Sequence, residues 1–228
     1  MDTILWDEES DNYTRRAKDV SDKYLEIKEV LIADSVLDIQ SSLKKVPEKI
    51  LDIGCSFGIT IQLMKEHFPS SEFYGIDPGK ESIETAQNNN PETNIFFQQG
   101  HSHNLPYADN SFDVIILSMV LQWIPRKYLI KTIAEIDRVL KTDGIIYIQE
   151  FLPNKSITSV SRHNQDVFIF KDDYSSFFVT FPWLKEVSRK VDKIEEGEDQ
   201  QRCTSIIRKY EIEDVYFFKN ASKEKQYD

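Results

Sequence analysis

The sequence predicts an α/β fold: a doubly wound, mostly parallel seven-stranded sheet with helices on both faces. Two observations carry this. Short apolar runs alternate with amphipathic stretches between about residues 48 and 150. Strands that alternate with helices imply a parallel sheet covered on both faces. Glycine, asparagine, aspartate and proline punctuate the segments. Strands that feed helices in this order need parallel pairing and right-handed crossovers.

The elements follow in order. Residues 1–45 read as helical, with Leu25, Ile27, Val30, Leu31, Val36 and Leu37 near helical spacing, and Pro47 closes the region. Lys49–Ile53 is a buried strand, Gly54–Gly58 a turn, and Ile59–Phe68 a helix stopped by Pro69. Glu72–Ile76 is the second strand, followed by Asp77-Pro78-Gly79 and a helix over Lys80–Asn88. Asn94–Gln99 is the third strand, Gly100–Ser111 a loop, and Phe112–Leu117 the fourth strand. Pro125 suits the first turn of a helix. The apolar face of that helix is Leu129, Ile130, Ile133, Ile136, Val139 and Leu140. Gly144 is placed to stop it and to open the fifth strand, Ile145–Gln149. Beyond residue 151 the alternation breaks, with β-rich runs at Thr204–Tyr210 and Asp214–Lys219. Phe177, Phe178, Phe181 and Trp183 cluster before them. The aromatic segment Phe168–Trp183 reads equally as a lid or as a cover for the sheet edge.

Composition bounds the function. The chain has 228 residues, 40% of them apolar, and a formal net charge of −11. Duplex nucleic acid is a poor partner for such a surface, since binding needs clustered Lys and Arg. Cys55 and Cys203 are too far apart in sequence for a zinc pair, and the expectation is a reducing, cytoplasmic setting without metal. The acidic N-terminus has no signal-peptide core. The longest apolar run, Val114–Ile124, falls short of the roughly 20 residues that span a bilayer.

Four segments end up on one edge of the predicted sheet. Asp52 and Gly54-Cys55-Ser56-Phe57-Gly58 follow the first strand, and the two glycines permit close approach of a ligand to the backbone. Asp77, 77 − 58 = 19 residues beyond Gly58 and followed by Pro78, ends the second strand, where an acid can accept from ribose hydroxyls. Gly100, His101 and Ser102 follow the third strand, and Ser118-Met119 the fourth. Glycines 54 and 58 lack the Gly-x-Gly-x-x-Gly spacing of the dinucleotide fingerprint, which disfavours a nicotinamide enzyme.

These segments resemble class I methyltransferases that use S-adenosylmethionine (SAM). Ile50–Gly58 is similar to the family's first motif, and Tyr74-Gly75-Ile76-Asp77-Pro78 to its second. Leu105–Asp113 resembles the lead-in to the family's fourth strand, and Arg138–Gly144 the run before its fifth. The resemblance implies a SAM-dependent enzyme with S-adenosylhomocysteine (SAH) as product. Asp52 and the backbone of Gly54, Cys55, Ser56 and Gly58 would face the methionine part, Asp77 and Pro78 the ribose, His101 and Ser102 the adenine, and Ser118 and Met119 the methionine end. Arg16 of the N-terminal helix is a candidate for the methionine carboxylate or an anionic acceptor.

Two positions depart from the family pattern. Ser56 replaces the middle glycine, and His101 stands where many relatives carry an acid. The expected organisation is a helical cap over residues 1–46, a SAM-binding core over 47–150, a substrate-side insertion with terminal strands of the same domain over 151–220, and a polar tail over 221–228. His163 is the candidate general base, ahead of His103 and His67. The acceptor is expected to be a small polar molecule, methylated on oxygen or nitrogen, with a glycan or natural-product precursor one possibility. The alternatives are a non-catalytic SAM-binding subunit and a protein or RNA methyltransferase. No membrane contact is expected, and the oligomeric state is open.

Overall fold

A computed structural model describes residues 4–18, 35–193 and 201–212. The predicted helical positions Leu25, Ile27, Val30 and Leu31, the run Asp214–Lys219 and the tail lie outside the described residues.

Helix α1 spans Ile4–Lys18, and residues 35–42 form a second helical segment, α2. The alternating core follows: β1 Lys49–Ile53, α3 Ile59–Met64, β2 Glu72–Asp77, α4 Lys80–Asn89, β3 Ile95–Gln99, β4 Phe112–Ser118, a 3₁₀ turn Leu121–Trp123, α5 Arg126–Val139 and β5 Leu140–Leu152. The remainder supplies β6 Ile157–Val160, β7 Phe168–Lys171, α6 Tyr174–Phe178, β8 Leu184–Lys193 and β9 Gln201–Lys209.

Seven strands form one sheet in the order β3-β2-β1-β4-β5-β9-β8, and β6 pairs with β7 in a separate hairpin. The pairs from β3 to β5 are parallel, whereas β9 runs antiparallel to both β5 and β8. The central strands are covered on both faces, as expected. On β4, Ile115 and Leu117 enter the core layer with α5 and α6, while Val114 and Ile116 enter the layer with α2, α3 and α4. β1 divides in the same way, with Leu51 and Ile53 on one face and Ile50 on the other.

Two predicted boundaries move. Helix α3 ends at Met64 rather than Phe68; the chain continues in turns in which the His67 and Phe68 amides both donate to the Met64 carbonyl. Gly144 does not stop α5. The helix passes at Leu140 directly into extended backbone, and Gly144 lies within β5. There the register jumps from Phe112↔Leu140 to Val114↔Ile145, so residues 141–144 bulge out. Asp143 takes the left-handed turn of this bulge, at φ 64°. A Cβ on Gly144 would lie 2.8 Å from both Leu140 Cδ1 and the Lys141 carbonyl oxygen, so the glycine serves close packing in the bulge.

The aromatic segment divides: residues 168–171 form β7 of the hairpin, and residues 174–183 pack on the sheet. Tyr174 and Phe178 are fully buried in the α5 layer, and Phe177, Phe181 and Trp183 pack against it. The two motif runs around β4 are tied together by Arg138. Its guanidinium donates to the carbonyls of Tyr107 (2.7 Å) and Leu105 (3.0 Å) and to the carboxylates of Asp109 and Glu135.

Candidate functional site

Chain order places β2 and β3 on one side of β1, and β4 and β5 on the other. The winding direction therefore reverses between β1 and β4. In open α/β sheets such a reversal opens a crevice beyond the carboxyl ends of the strands, where ligands bind. Residues 54–58, Asp77, residues 100–102 and Ser118-Met119 all leave the sheet at this edge.

The turn after β1 is built from left-handed backbone. Gly54 has φ 78° and Gly58 φ 83°, and Ser56, in place of the usual glycine, takes φ 48°. Such a conformation costs an L-residue roughly 1–2 kcal/mol. Ser56 recovers part of this through two bonds: its amide donates to Asp77 Oδ2 (2.9 Å), and its hydroxyl pairs with Thr14 Oγ1 (2.8 Å). A Cβ on Gly54 would fall 2.4 Å from Val120 Cγ2, so the turn closes directly against the segment after β4. Cys55 is buried beneath the turn, and burial, followed by the nearby Asp77 and Asp52, pushes its thiol well above the ordinary range. It is a packing residue rather than a nucleophile. Asp52 is 2% exposed at the end of β1.

Asp77 is the centre of the crevice. It is 4% exposed and accepts from the amides of Ser56 and Gly79 (both 2.9 Å) and from the Ser10 hydroxyl. Burial raises its pKa, and these three donors pull against that rise. Ser10 lies on α1, which rests across the crevice. Thr14, one helical turn on, also meets Ser82 Oγ (2.7 Å), and Asp11 Oδ1 accepts from the Ser82 amide (3.0 Å). Asp11 thereby supplies α4 with the N-terminal acceptor that Gly79 lacks. The small polar residues of α1 at positions 10, 11 and 14 escaped the sequence reading. The only available signal was their spacing along one helix face.

The remaining predicted residues are placed as follows. Pro78 gives its carbonyl to Gln99 Nε2 (2.8 Å). His101 Nε2 lies 3.6 Å from Asp7 Oδ1 of α1. Its ring neighbours His103, which stacks on Tyr128 with centroids 4.1 Å apart. Burial, then His101, lowers the His103 pKa. Ser102 Oγ pairs with Thr132 Oγ1 of α5 (3.0 Å), and Ser118 Oγ donates to Gln149 Oε1 (3.4 Å). Met119 adopts φ 58°, and its amide donates to the Gln149 carbonyl (2.8 Å). Arg16 is not directed into the crevice as a free cation. It pairs with the buried Glu9 at 2.7 Å, as Arg15 pairs with Glu81. His163 is exposed in the β6–β7 turn, where its amide donates to Ser161 Oγ, and it shares no bond with the crevice residues. Among the described residues no group of three His, Cys, Asp or Glu side chains is arranged to hold a metal ion. No helix there is long and apolar enough to cross a membrane.

The fold and the crevice define the class, and comparison with known proteins agrees. Residues 51–148 match the family model described as a methyltransferase domain. The demethylmenaquinone methyltransferase of Lactobacillus johnsonii is 33% identical over 154 residues, covering 65% of this chain and 58% of that protein. The malonyl-[acyl-carrier protein] O-methyltransferase of Halalkalibacterium halodurans is 30% identical over 116 residues, covering 49% and 42%. The chain spans about half the length of the curated relatives it matches. Among solved structures, the Burkholderia thailandensis 1,6-didemethyltoxoflavin-N1-methyltransferase is similar in fold, with a TM-score of 0.67 at 13% identity, covering 89% of this chain and 87% of that one.

Proposed function

We propose that this protein transfers the methyl group of SAM to an oxygen or nitrogen of a small polar metabolite, such as a glycan or natural-product precursor, in the cytoplasm. The observation that carries the reading is the meeting of the Gly54–Gly58 turn, Asp77, residues 100–102 and Ser118-Met119 at one reversal point of the sheet. The local structure fits the cofactor. The Gly54 and Gly58 backbone admits close approach, and Asp77 is a carboxylate whose partners include a hydroxyl, the group a ribose would offer. In this reading Asp77 and Pro78 hold the ribose, His101 and Ser102 flank the adenine, and Asp52, Gly54, Cys55, Ser56, Gly58, Ser118 and Met119 surround the methionine part. Among the described residues Asp77 Oδ2 takes only the Ser56 amide, which leaves it an acceptor site for a ribose hydroxyl. Arg16 would serve the methionine carboxylate through donors other than the Nη2 that holds Glu9.

The sulfonium of bound SAM activates the methyl group, and the protein's task is alignment and exclusion of water. The relatives are named for different acceptors at nearly equal identity, a quinone precursor and a carrier-bound malonyl group, so neither acceptor transfers to this chain by likeness. His163 remains the proposed base for an acceptor of high pKa; its exposed position makes His163→Ala the direct check, through SAH release with each acceptor tried.

Calorimetric titration with SAM, SAH and NAD tests the cofactor. Micromolar binding of SAM and SAH without NAD supports the reading. Absence of SAM binding, or tight NAD binding, overturns it. SAH formation with small polar acceptors then separates an enzyme from a SAM-binding subunit.

A further inference from the structure

Glu150 ends the apolar part of β5 and is 3% exposed, an unusual place for a carboxyl group. Its Oε1 accepts from the Leu121 amide at 2.6 Å. The neighbouring amides of Val120 and Gln122 also favour its ionised form. Those three residues follow Met119, which holds a left-handed backbone and donates to the Gln149 carbonyl. Val120 is the residue against which Gly54 closes. Two adjacent residues of β5 therefore hold the whole segment 119–122: Gln149 by its backbone and Glu150 by its side chain.

We propose that Glu150 is a positioning residue for the cofactor site, fixing the segment 119–122 that walls the methionine end; this rests on the SAM-binding reading above. The segment has little else to define it. Val120 and Met119 are only partly buried, and the following 3₁₀ turn has no side-chain cap at its start. A side-chain oxygen that accepts from a loop's backbone amide orders that loop as a capping residue does. A loop ordered before binding spares the ligand that ordering cost. Arg126 supports the same turn from the other side, donating to the carbonyls of Leu121 and Ile124 (both 3.0 Å). Glu150 Oε2 has no hydrogen-bonding partner among the described residues. Replacing that oxygen by an amide nitrogen thus leaves the Oε1 acceptor and its loop contacts in place.

The test compares Glu150→Ala with Glu150→Gln, using SAH as the probe. SAH affinity is measured by calorimetry, and hydrogen exchange of the 120–122 amides is measured in the ligand-free protein. Glu150→Ala is expected to weaken SAH binding roughly tenfold, as befits loss of the hydrogen bond that holds the loop, and to speed exchange at 120–122. Glu150→Gln is expected to restore both to within about threefold of wild type, because it keeps the acceptor. Wild-type affinity and exchange in Glu150→Ala would overturn the proposal, as would a Gln variant as impaired as the Ala variant. If Glu150→Ala does not fold, slow exchange at 120–122 in wild type and its retention in Glu150→Gln support the proposal. Fast exchange in wild type overturns it. Failure of the wild type to bind SAH would defeat the SAM reading instead, while the ligand-free exchange data would still report on the loop.

Discussion

Replacing Gly54 by alanine adds one methyl group where the structure leaves no room for it. Two terms set the cost. The backbone at φ 78° is left-handed, which costs an L-residue about 1–2 kcal/mol. The new Cβ would sit 2.4 Å from Val120 Cγ2 and 2.9 Å from Val120 Cβ, inside any real carbon contact. Overpacking of this kind costs about 1–3 kcal/mol. The sum, about 2–5 kcal/mol, is a large share of the 5–15 kcal/mol that holds a typical domain together. The two terms separate in a double-mutant cycle. Val120→Ala removes the Cγ2 in the way, so Gly54→Ala combined with Val120→Ala should retain the backbone term and lose most of the overlap. The expected coupling is about 1–2 kcal/mol in the favourable direction. Urea denaturation of the four proteins at one pH measures it. A neutral Gly54→Ala, or strict additivity with Val120→Ala, would refute the claim that the turn closes on the segment after β4.

Three further outcomes are expected. Asp77→Ala should weaken SAM binding by about 1.5–3 kcal/mol and also lower ligand-free stability by about 2–4 kcal/mol, because the Ser56 and Gly79 amides lose their acceptor. Calorimetry and urea melts check the two effects separately, and unchanged SAM affinity would sink the ribose assignment. Burial pushes Glu150 up to about 8 from an ordinary 4.5, against the opposing pull of the segment's amides and Arg126. A raised acid pKa gives stability that is fully present below about 4.5 and lost as pH rises toward 8. Relative to Glu150→Gln, wild type should lose roughly 3–5 kcal/mol between pH 4.5 and 8, as read from denaturation at both ends. A difference that does not change with pH would contradict this. Arg138→Lys should cost about 1–3 kcal/mol, since one ammonium cannot replace a planar fork that bonds two carbonyls and two carboxylates. A melting temperature equal to wild type would count against it.

The parallel half of the sheet was legible because its central strands β1 and β4 are buried on both faces. Val114–Leu117 is apolar without interruption, and β1 is apolar at Ile50, Leu51 and Ile53, on both of its faces. The crevice positions were legible for a related reason: strand ends and turn glycines are local features. What escaped was either exposed or distant in sequence. Strand β8 has only Leu184, Val187 and Val191 as apolar residues, and the two valines are 43% and 45% exposed, so no hydrophobic period announces it. The four-residue strands β6 and β7 present the same difficulty. Ser10 meets Asp77 across 67 residues, and Glu150 meets Leu121 across 29. Neither pairing leaves a mark on the residues near either partner. Gly144 misled because a glycine after a helix ordinarily ends it, whereas here the strand had already begun four residues earlier.

Strand β9, the last of the described strands, lies between β5 and β8. This position constrains the order of assembly. As the chain emerges from the ribosome, β1 to β5 can pair as each βαβ unit is completed, but β8 has no strand to join until residues 201–209 are available. Until then β5 presents an open edge of about a dozen residues, the kind of template on which another chain can add. A nascent or prematurely ended chain that stops near residue 193 would carry this exposed edge together with an unpaired β8. Selection against stalling in the stretch between β5 and β9 would therefore act through aggregation in the cell rather than through catalysis.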